Sequence, residues 1–282
     1  MKLIGSILLI IGGAVASAQT ADEIMAKVAD NQDRAQSVRA AFVYHQNILV
    51  RMKRGGGKIA REEIRDFTVT PTDKGTKREL THFEGKYDKG GKLISYDHAG
   101  FQYKDIDIDG AIAENIANDF ANNKSSRDGI SPEMFPLTTK HLKNYRFTMK
   151  GTEVYRERQV YSISFEPQRN KGLDCDEDDS CWAGEVLVDK LEFQPVVVTT
   201  HLAIGIPVLV KVLLGTNIKH MGFKVTYQKF DEGLWFPVDY GGELKVRAVF
   251  LYSRSISIGV KNSEFKHADV ASKVSFEEPT QE

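Results

Sequence analysis

The spacing of apolar residues along the chain begins with a helical period. Over residues 21–36, apolar side chains recur every three to four positions, and Thr20 followed by Glu23 is the pattern of a capping box. This spacing predicts one amphipathic helix. From Val38 the period changes to two, which is typical of a strand with one buried face, and the alternation continues to Met52.

Glycine clusters divide the strands that follow. Gly55-Gly56-Gly57 interrupts the first strand pattern, and strand character resumes over 59–69. We therefore predict a long hairpin with a glycine tip. Further strands are predicted over 76–88 and 92–104, separated by a turn at Gly90-Gly91.

A helical period returns over 109–121, with Asp109 as the predicted N-cap. The polar, proline-punctuated residues that follow predict a loop with short helical turns. From Tyr145 the strand pattern resumes, and Gly241-Gly242 is predicted to be a turn within it. The strands predicted in this region are 145–150, 158–166, 183–189, 195–202, 221–230, 234–240, 243–252 and 255–266.

This order of elements predicts one domain over 19–268. It begins with a helix and continues as a large antiparallel sheet, which a helical insertion interrupts at about 105–140. The residues 269–282 are mostly polar and are predicted to form a flexible C-terminal tail.

The first eighteen residues predict an exported protein. Lys2 gives a positive start, the apolar run over 3–15 is too short to span a bilayer, and Ala16-Ser17-Ala18 fits the A-x-A cleavage rule. We expect a signal peptide that is cleaved after Ala18, so that the mature chain works in a bacterial periplasm.

Charge and cysteine content narrow the function further. The 38 basic and 39 acidic residues leave a net charge of −1, whereas nucleic-acid binding would need a basic excess. In an exported chain, Cys175 and Cys181 are expected to form a disulfide that closes a small loop. No histidine lies near the pair, which argues against a zinc site.

Two acidic stretches resemble parts of cation sites. Asp105, Asp107 and Asp109 precede a glycine as in a calcium loop, but Ile116 stands where that loop needs a glutamate. A junction between a strand and a capped helix explains the same residues and is the favoured interpretation. The acidic loop 174–179 is interpreted as a solvated tip, and calcium binding stays open for both stretches.

Basic residues flank the glycine tip of the first hairpin. They either keep the tip exposed and prevent edge pairing, which is the favoured interpretation, or attract anionic lipid headgroups or an acidic partner. These residues are Arg51, Lys53, Arg54, Lys58 and Arg61. Catalytic motifs with a nucleophile elbow, a phosphate-binding loop or paired zinc histidines do not occur, so we predict no enzyme and no cofactor.

The most apolar part of the mature chain is 201–215, HLAIGIPVLVKVLLG. It could be a buried strand or helix of the core, or a segment that lines an apolar cavity. In the second case the predicted ligand-binding residues are Leu202, Ile204, Ile206, Val210, Leu213 and Leu214.

Two later segments resemble a known family. The segment GEVLVD at 184–189 leads into LEFQPV at 191–196, and DEGLWFP occupies 231–237. Together with the element order, these segments resemble the LolA/LolB superfamily of outer-membrane lipoprotein carriers. The resemblance implies a fold of the α+β class: a strongly curved, incompletely closed antiparallel half-barrel. An N-terminal helix and a helical insertion would cover its concave face.

In such a half-barrel both faces of the strand at 234–240 would be covered. Trp235 should then be at least partly buried. Pro237 cannot donate a ladder hydrogen bond, so it should lie at a bulge or at an edge.

The resemblance also implies a function. We expect a periplasmic carrier that holds a lipid, or the acyl chains of a lipoprotein, in an apolar cavity and takes part in outer-membrane lipoprotein sorting. The alternatives are an envelope-stress sensor or interaction protein of the same fold with a membrane-protein partner, and an unrecognised hydrolase.

Overall fold

The computed structural model describes residues 19–72, 75–121, 128–130, 137–168, 182–202, 217–231, 234–248 and 252–268. Helix α1 spans Ala21–Arg39 and helix α2 spans Ile108–Ala121. The strands are β1 (Phe42–Lys53), β2 (Ile59–Thr72), β3 (Gly75–Lys89), β4 (Lys92–Tyr96), β5 (Tyr145–Tyr155), β6 (Arg158–Pro167), β7 (Trp182–Asp189), β8 (Pro195–Leu202), β9 (Asn217–Asp231), β10 (Leu234–Ala248) and β11 (Tyr252–His267).

All eleven strands belong to one antiparallel sheet in the order β4-β3-β2-β1-β11-β10-β9-β8-β7-β6-β5. Apart from β1 with β11, each strand pairs with its neighbour in the chain. The two outermost strands, β4 and β5, do not pair with each other, so the sheet is open. The predicted α+β class with a large open antiparallel sheet is confirmed.

Helix α1 begins where its capping box predicts. The backbone nitrogen of Thr20 donates to Oε2 of Glu23 at 2.9 Å, and the nitrogen of Glu23 donates to Oγ1 of Thr20 at 3.2 Å. The helix continues three residues beyond the predicted end, to Arg39, because the Arg39 side chain is itself buried by an ion pair. Its apolar face, with Ile24 and Val28, is fully buried.

The sheet curves around its helices. Helix α1 packs on both β10 and β5, which lie five positions apart in the sheet, without comparable packing on the described strands between them. In a flat sheet, five steps would separate these strands by about 24 Å. Helix α2 packs on β1 and β2, and both helices join one continuous apolar core.

Glycines inside the strands permit a close approach of neighbouring backbones. A Cβ on Gly241 would lie 2.1 Å from the carbonyl oxygen of Ile258, and one on Gly242 would lie 2.1 Å from that of Gly222. Interior glycines of this kind mark tight bends. The predicted turn at Gly241-Gly242 is therefore wrong. Strand β10 runs through both glycines, and the strand predicted over 243–252 is its second half.

The strand predicted over 92–104 ends at Tyr96, because the following loop folds back on the sheet. The ring of Phe101 stacks on Tyr96 at 4.4 Å, and that of Tyr103 stacks on Tyr87 at 4.7 Å. These contacts place the residues before α2 against the inner side of β3 and β4.

The predictions for β10 are confirmed. The register against β9 shifts between Pro237 and Asp239, so the proline lies at a bulge. Trp235 is 1% exposed and Phe236 is fully buried, so both faces of the strand are covered.

Several hairpin tips lie at one end of the sheet, because the register aligns them. Tyr87 pairs with Arg61, and Lys53 pairs with Ser255. We call this the tip end. It comprises the β1–β2 and β3–β4 tips and the adjoining ends of β6 to β11. Neither described helix is long and apolar enough to cross a membrane.

Gly241 and Gly259 face each other in β10 and β11 and give a matched test of the bend. Gly241→Ala should lower the free energy of unfolding by about 1–3 kcal/mol, because the new methyl group would overlap the Ile258 carbonyl oxygen. Gly259→Ala meets nothing within 4 Å and should be neutral or slightly stabilising. Urea unfolding measures both, and equal losses would contradict the close approach.

Candidate functional site

The concave face of the sheet is apolar over eight adjacent strands, from β1 across the centre to β5, and β2 adds Phe67 and Val69 beside its charged inner residues. Every second residue of these strands points into the interior, as the period of a strand requires. The buried side chains include Ile48, Val50, Phe67, Phe147, Ile163, Phe165, Val186, Val198, Val225, Leu244, Val246, Ile256, Ile258 and Val260. This surface is suited to hold apolar groups.

At the tip end, the interior carries an aromatic pair. The rings of Trp182 and Phe223 lie 4.8 Å apart, and both residues are buried. Trp182 pairs in register with Leu202, and Phe223 pairs with Thr200. The chain therefore leaves β8 beside this pair and enters β9 at Asn217, six residues before Phe223.

Of the predicted ligand-binding residues, Leu202 is the last residue of β8. The other five, Ile204, Ile206, Val210, Leu213 and Leu214, lie outside the described residues. Cys175, Cys181 and the acidic loop 174–179 also lie outside them, as do the signal peptide and the C-terminal tail. The cavity lining and the disulfide stay predictions.

A buried polar network closes the opposite end of the interior. Nε of Arg39 lies 2.8 Å from Oδ2 of Asp128, and both side chains are almost completely buried. The Tyr44 hydroxyl donates to the carbonyl oxygen of Asp128 at 3.0 Å, and Gln32 donates to Gln194 at 2.6 Å. These bonds attach α1 and the residues 128–130 to the sheet.

Three tyrosine side chains line the same region. Burial raises the pKa of Tyr240 to about 12, and it raises the pKa values of Tyr44 and Tyr227 still further. Nε2 of Gln46 donates to the Tyr240 hydroxyl at 2.9 Å and to Asn262 at 3.0 Å. The phenols stay neutral near pH 7 and act as hydrogen-bonding groups within an apolar interior.

A second network of ion pairs holds α2 on the sheet, and its centre is Arg61. Nη1 of Arg61 lies 2.7 Å from Oδ2 of Asp107, Nε lies 2.8 Å from Oε1 of Glu63, and Nη2 donates to the carbonyl of Phe101 at 2.6 Å. Arg61 is 1% exposed, so its assignment to an exposed hairpin tip is wrong. Its pairing with Met52 places it on the inner face.

The same face carries Glu63 and Arg65. The Tyr96 hydroxyl donates to Glu63 at 2.6 Å, and Arg65 lies 2.6 Å from Oε2 of Glu114 in α2. Burial acts to raise the pKa of Glu114, but the hydrogen bond and charge of Arg65 outweigh it and leave this pKa below its usual value. Charged residues at every second position, 61, 63 and 65, were the sequence signal for this network.

The calcium-like stretch serves this docking. Asp107, not Asp109, caps α2, because its Oδ1 accepts from the nitrogen of Gly110 at 2.9 Å. Asp109 receives two bonds of 2.9 Å from Arg254 and one of 2.7 Å from the Tyr252 hydroxyl. The interpretation as a junction with a capped helix thus explains these carboxylates. No cluster of three or more His, Cys, Asp or Glu suited to a metal occurs in the described part of the chain.

A groove of about 610 Å³ lies on the outer side of β2, β3 and β4. Its lining is mixed and includes Glu62, Glu84, Lys86 and Asp97. Carboxylates and an ammonium group of this density do not favour an acyl chain. The apolar interior is therefore the better candidate site.

No protein-family model and no curated protein matches the sequence of this chain. Among solved structures, it is similar to a DUF1329 family protein from Desulfovibrio piger (9% identity, TM-score 0.40, covering 90% of this chain and 95% of that one). A putative outer membrane lipoprotein-sorting protein domain from Vibrio parahaemolyticus matches with 8% identity and a TM-score of 0.37, covering 88% of this chain and 95% of that one.

A LolA superfamily protein from Nitrosomonas europaea matches with 12% identity and a TM-score of 0.36, covering 91% of this chain and 97% of that one. The superfamily that the sequence resembles is thus represented among the matching structures. The fold assignment itself rests on the strand order and register of this chain.

Arg61→Met should lower the free energy of unfolding by about 3–5 kcal/mol, because it leaves Asp107 buried without its arginine and removes one of the two arginines that neutralise Glu63. Arg51→Met removes an arginine whose side chain is 37% exposed and should cost about 1 kcal/mol or less. Urea unfolding of both variants measures the difference. Similar costs would show that Arg61 does not hold the network together.

The depressed pKa of Glu114 predicts a loss of stability in acid. Because the unfolded chain binds this proton more readily than the folded one, the contribution of Glu114 is present above its ordinary pKa of 4.5 and is lost as the pH falls below it. Unfolding free energies at about pH 7 and about pH 3.5 should differ less in Glu114→Gln than in the unchanged protein. An identical pH dependence in both proteins would contradict the assignment.

Proposed function

We propose that this protein is an extracytoplasmic carrier that holds a lipid, or the acyl chains of a lipoprotein, in the interior of its half-barrel. The apolar concave face, continuous over the eight strands from β1 to β5, is the observation that carries the proposal. Helix α1 is attached at the opposite end and α2 packs on β1 and β2, so we assign the cargo to the tip end of the remaining strands.

The cargo site combines this interior with the apolar segment between β8 and β9. The described end of β8 lies beside the Trp182–Phe223 pair, and the segment would contribute the lining residues. These are Leu202, Ile204, Ile206, Val210, Leu213 and Leu214. Each buried methylene of an acyl chain contributes about 0.8 kcal/mol, so the strength of retention grows with the length of chain that the interior covers.

The location and the biological role are part of the same proposal. A signal peptide cleaved after Ala18 would direct the mature chain to the periplasm, where Cys175 and Cys181 would form a disulfide. A periplasmic carrier of acyl chains is suited to the sorting of lipoproteins to the outer membrane. The protein acts by binding and release rather than by catalysis.

We predict that the exported protein co-purifies with lipid, which mass spectrometry of an organic extract detects. Val210→Asp or Leu213→Asp should abolish this retention, because a carboxylate in an apolar cavity excludes an acyl chain. Val154→Asp is the matched control, because Val154 is 71% exposed on the β5–β6 hairpin. It should retain the same lipid as the unchanged protein.

The melting temperature of each variant separates loss of cargo from loss of fold. If Val210→Asp unfolds the protein, the segment belongs to the core and not to a cavity wall. Absence of lipid from the unchanged protein, together with stable capture of an envelope membrane protein, would favour the sensor alternative.

A further inference from the structure

The loop before α2 reverses the usual distribution of polar and apolar side chains. Asp107 and Asp109 are buried, with exposures of 4% and 9%, whereas Ile106 is 74% and Ile108 is 49% exposed. An exposed group of large apolar side chains beside buried carboxylates is the informative exception to ordinary burial.

The buried ion pairs fix this reversal. Arg61 holds Asp107 and Arg254 holds Asp109, so both carboxylates are tied to the sheet. Ile106 precedes Asp107, and Ile108 lies between the two aspartates. Both isoleucines are therefore left facing outward. Solvent exposure of the isoleucines is thus a property of the docked loop.

Two further exposed apolar residues belong to this region: Tyr103 in the same loop and Ile94 on β4. Tyr103 stacks on Tyr87 at 4.7 Å, and Ile94 pairs in register with Tyr87 on the neighbouring strand. We call the following four residues the tip patch: Ile94, Tyr103, Ile106 and Ile108. They are four of the ten large apolar side chains that are exposed within the described ranges.

Basic side chains border the tip patch. Lys89 and Lys92 close the β3–β4 tip, Lys58 follows the β1–β2 tip, and Lys104 lies 5.1 Å from the ring of Tyr103. All four lysines are exposed, and Asp105 is an exposed acid in the same loop. In a chain of net charge −1, this excess of lysine is local.

We propose that the tip patch docks the protein on an anionic lipid bilayer. The isoleucines and Tyr103 would enter the interface between headgroups and acyl chains, and the flexible lysines would reach the lipid phosphates. Lysine is depleted in protein–protein interfaces, which favours a lipid surface over a protein as the occupant.

This inference deepens the carrier proposal, since the docking surface lies at the tip end, where the proposed cargo site opens. Only the biological purpose of the docking depends on the carrier proposal. The docking itself needs no cargo and is tested without it.

The test is flotation of the mature exported protein with vesicles of phosphatidylethanolamine and phosphatidylglycerol, compared with phosphatidylcholine vesicles. The unchanged protein should float with the anionic vesicles only. The double variant Ile106→Asp, Ile108→Asp should bind at least about tenfold more weakly, because it removes the inserted side chains and adds negative charge. An aspartate at position 108 also suits the first turn of α2, so this variant is expected to fold.

Leu191→Asp is the control for the apolar part, because Leu191 is 89% exposed on the β7–β8 turn at the opposite end. It should bind as the unchanged protein does. For the charged part, Lys89→Glu with Lys92→Glu should weaken binding by about tenfold. Lys140→Glu with Lys150→Glu, which makes the same charge change at two other exposed positions, should not.

Equal binding to both kinds of vesicle, no binding to either, or equal losses in the tip-patch and control variants would overturn the inference. Capture of a protein partner through Ile106 without vesicle binding would also overturn it. Co-purified lipid is measured on the same samples. If the unchanged protein floats but carries no lipid, the carrier proposal fails and the docking surface stands. If it carries lipid but does not float, the docking inference fails and the carrier proposal stands.

Discussion

The buried guanidinium of Arg61 is the constraint on which the rest of the structure depends. It joins β2 to the loop at Phe101 and to the cap of α2 at Asp107. A buried ion pair adds little net stability compared with apolar packing, but an unpaired one is costly, so this network selects one position for the helix. The position of α2, and with it the outward direction of Ile106, follows from that selection.

Curvature and helix placement together define the interior. The sheet can wrap around α1 because interior glycines such as Gly241 allow neighbouring backbones to approach closely. The Arg39–Asp128 pair then fixes α1 at one end, while the tip end keeps its apolar strands and the aromatic pair. For the proposed carrier, this arrangement assigns loading and release to the tip end.

Local sequence signals predicted the elements that depend on neighbours in the chain. The capping box of α1 and the bulge at Pro237 are of this kind, because each follows from one residue and its backbone chemistry. The pair Gly241-Gly242 misled the prediction, since a glycine needed for an approach across the sheet looks the same in sequence as one needed for a turn. The sequence also misplaced Arg61 at an exposed tip, because its buried partner Asp107 is distant in the chain. The cavity lining over 202–214 rests on composition alone.

The strand order has a consequence for how the chain acquires its structure. The centre of the sheet is the pairing of β1 with β11, the first and last strands, with Ile48 opposite Val260. All other pairs are hairpins that can form as soon as their two strands are available. During synthesis, the edge of β1 that pairs with β11 therefore stays unpaired until nearly the whole chain is available. An exposed edge with apolar side chains invites intermolecular pairing, so we expect chaperones to protect this strand until β11 arrives.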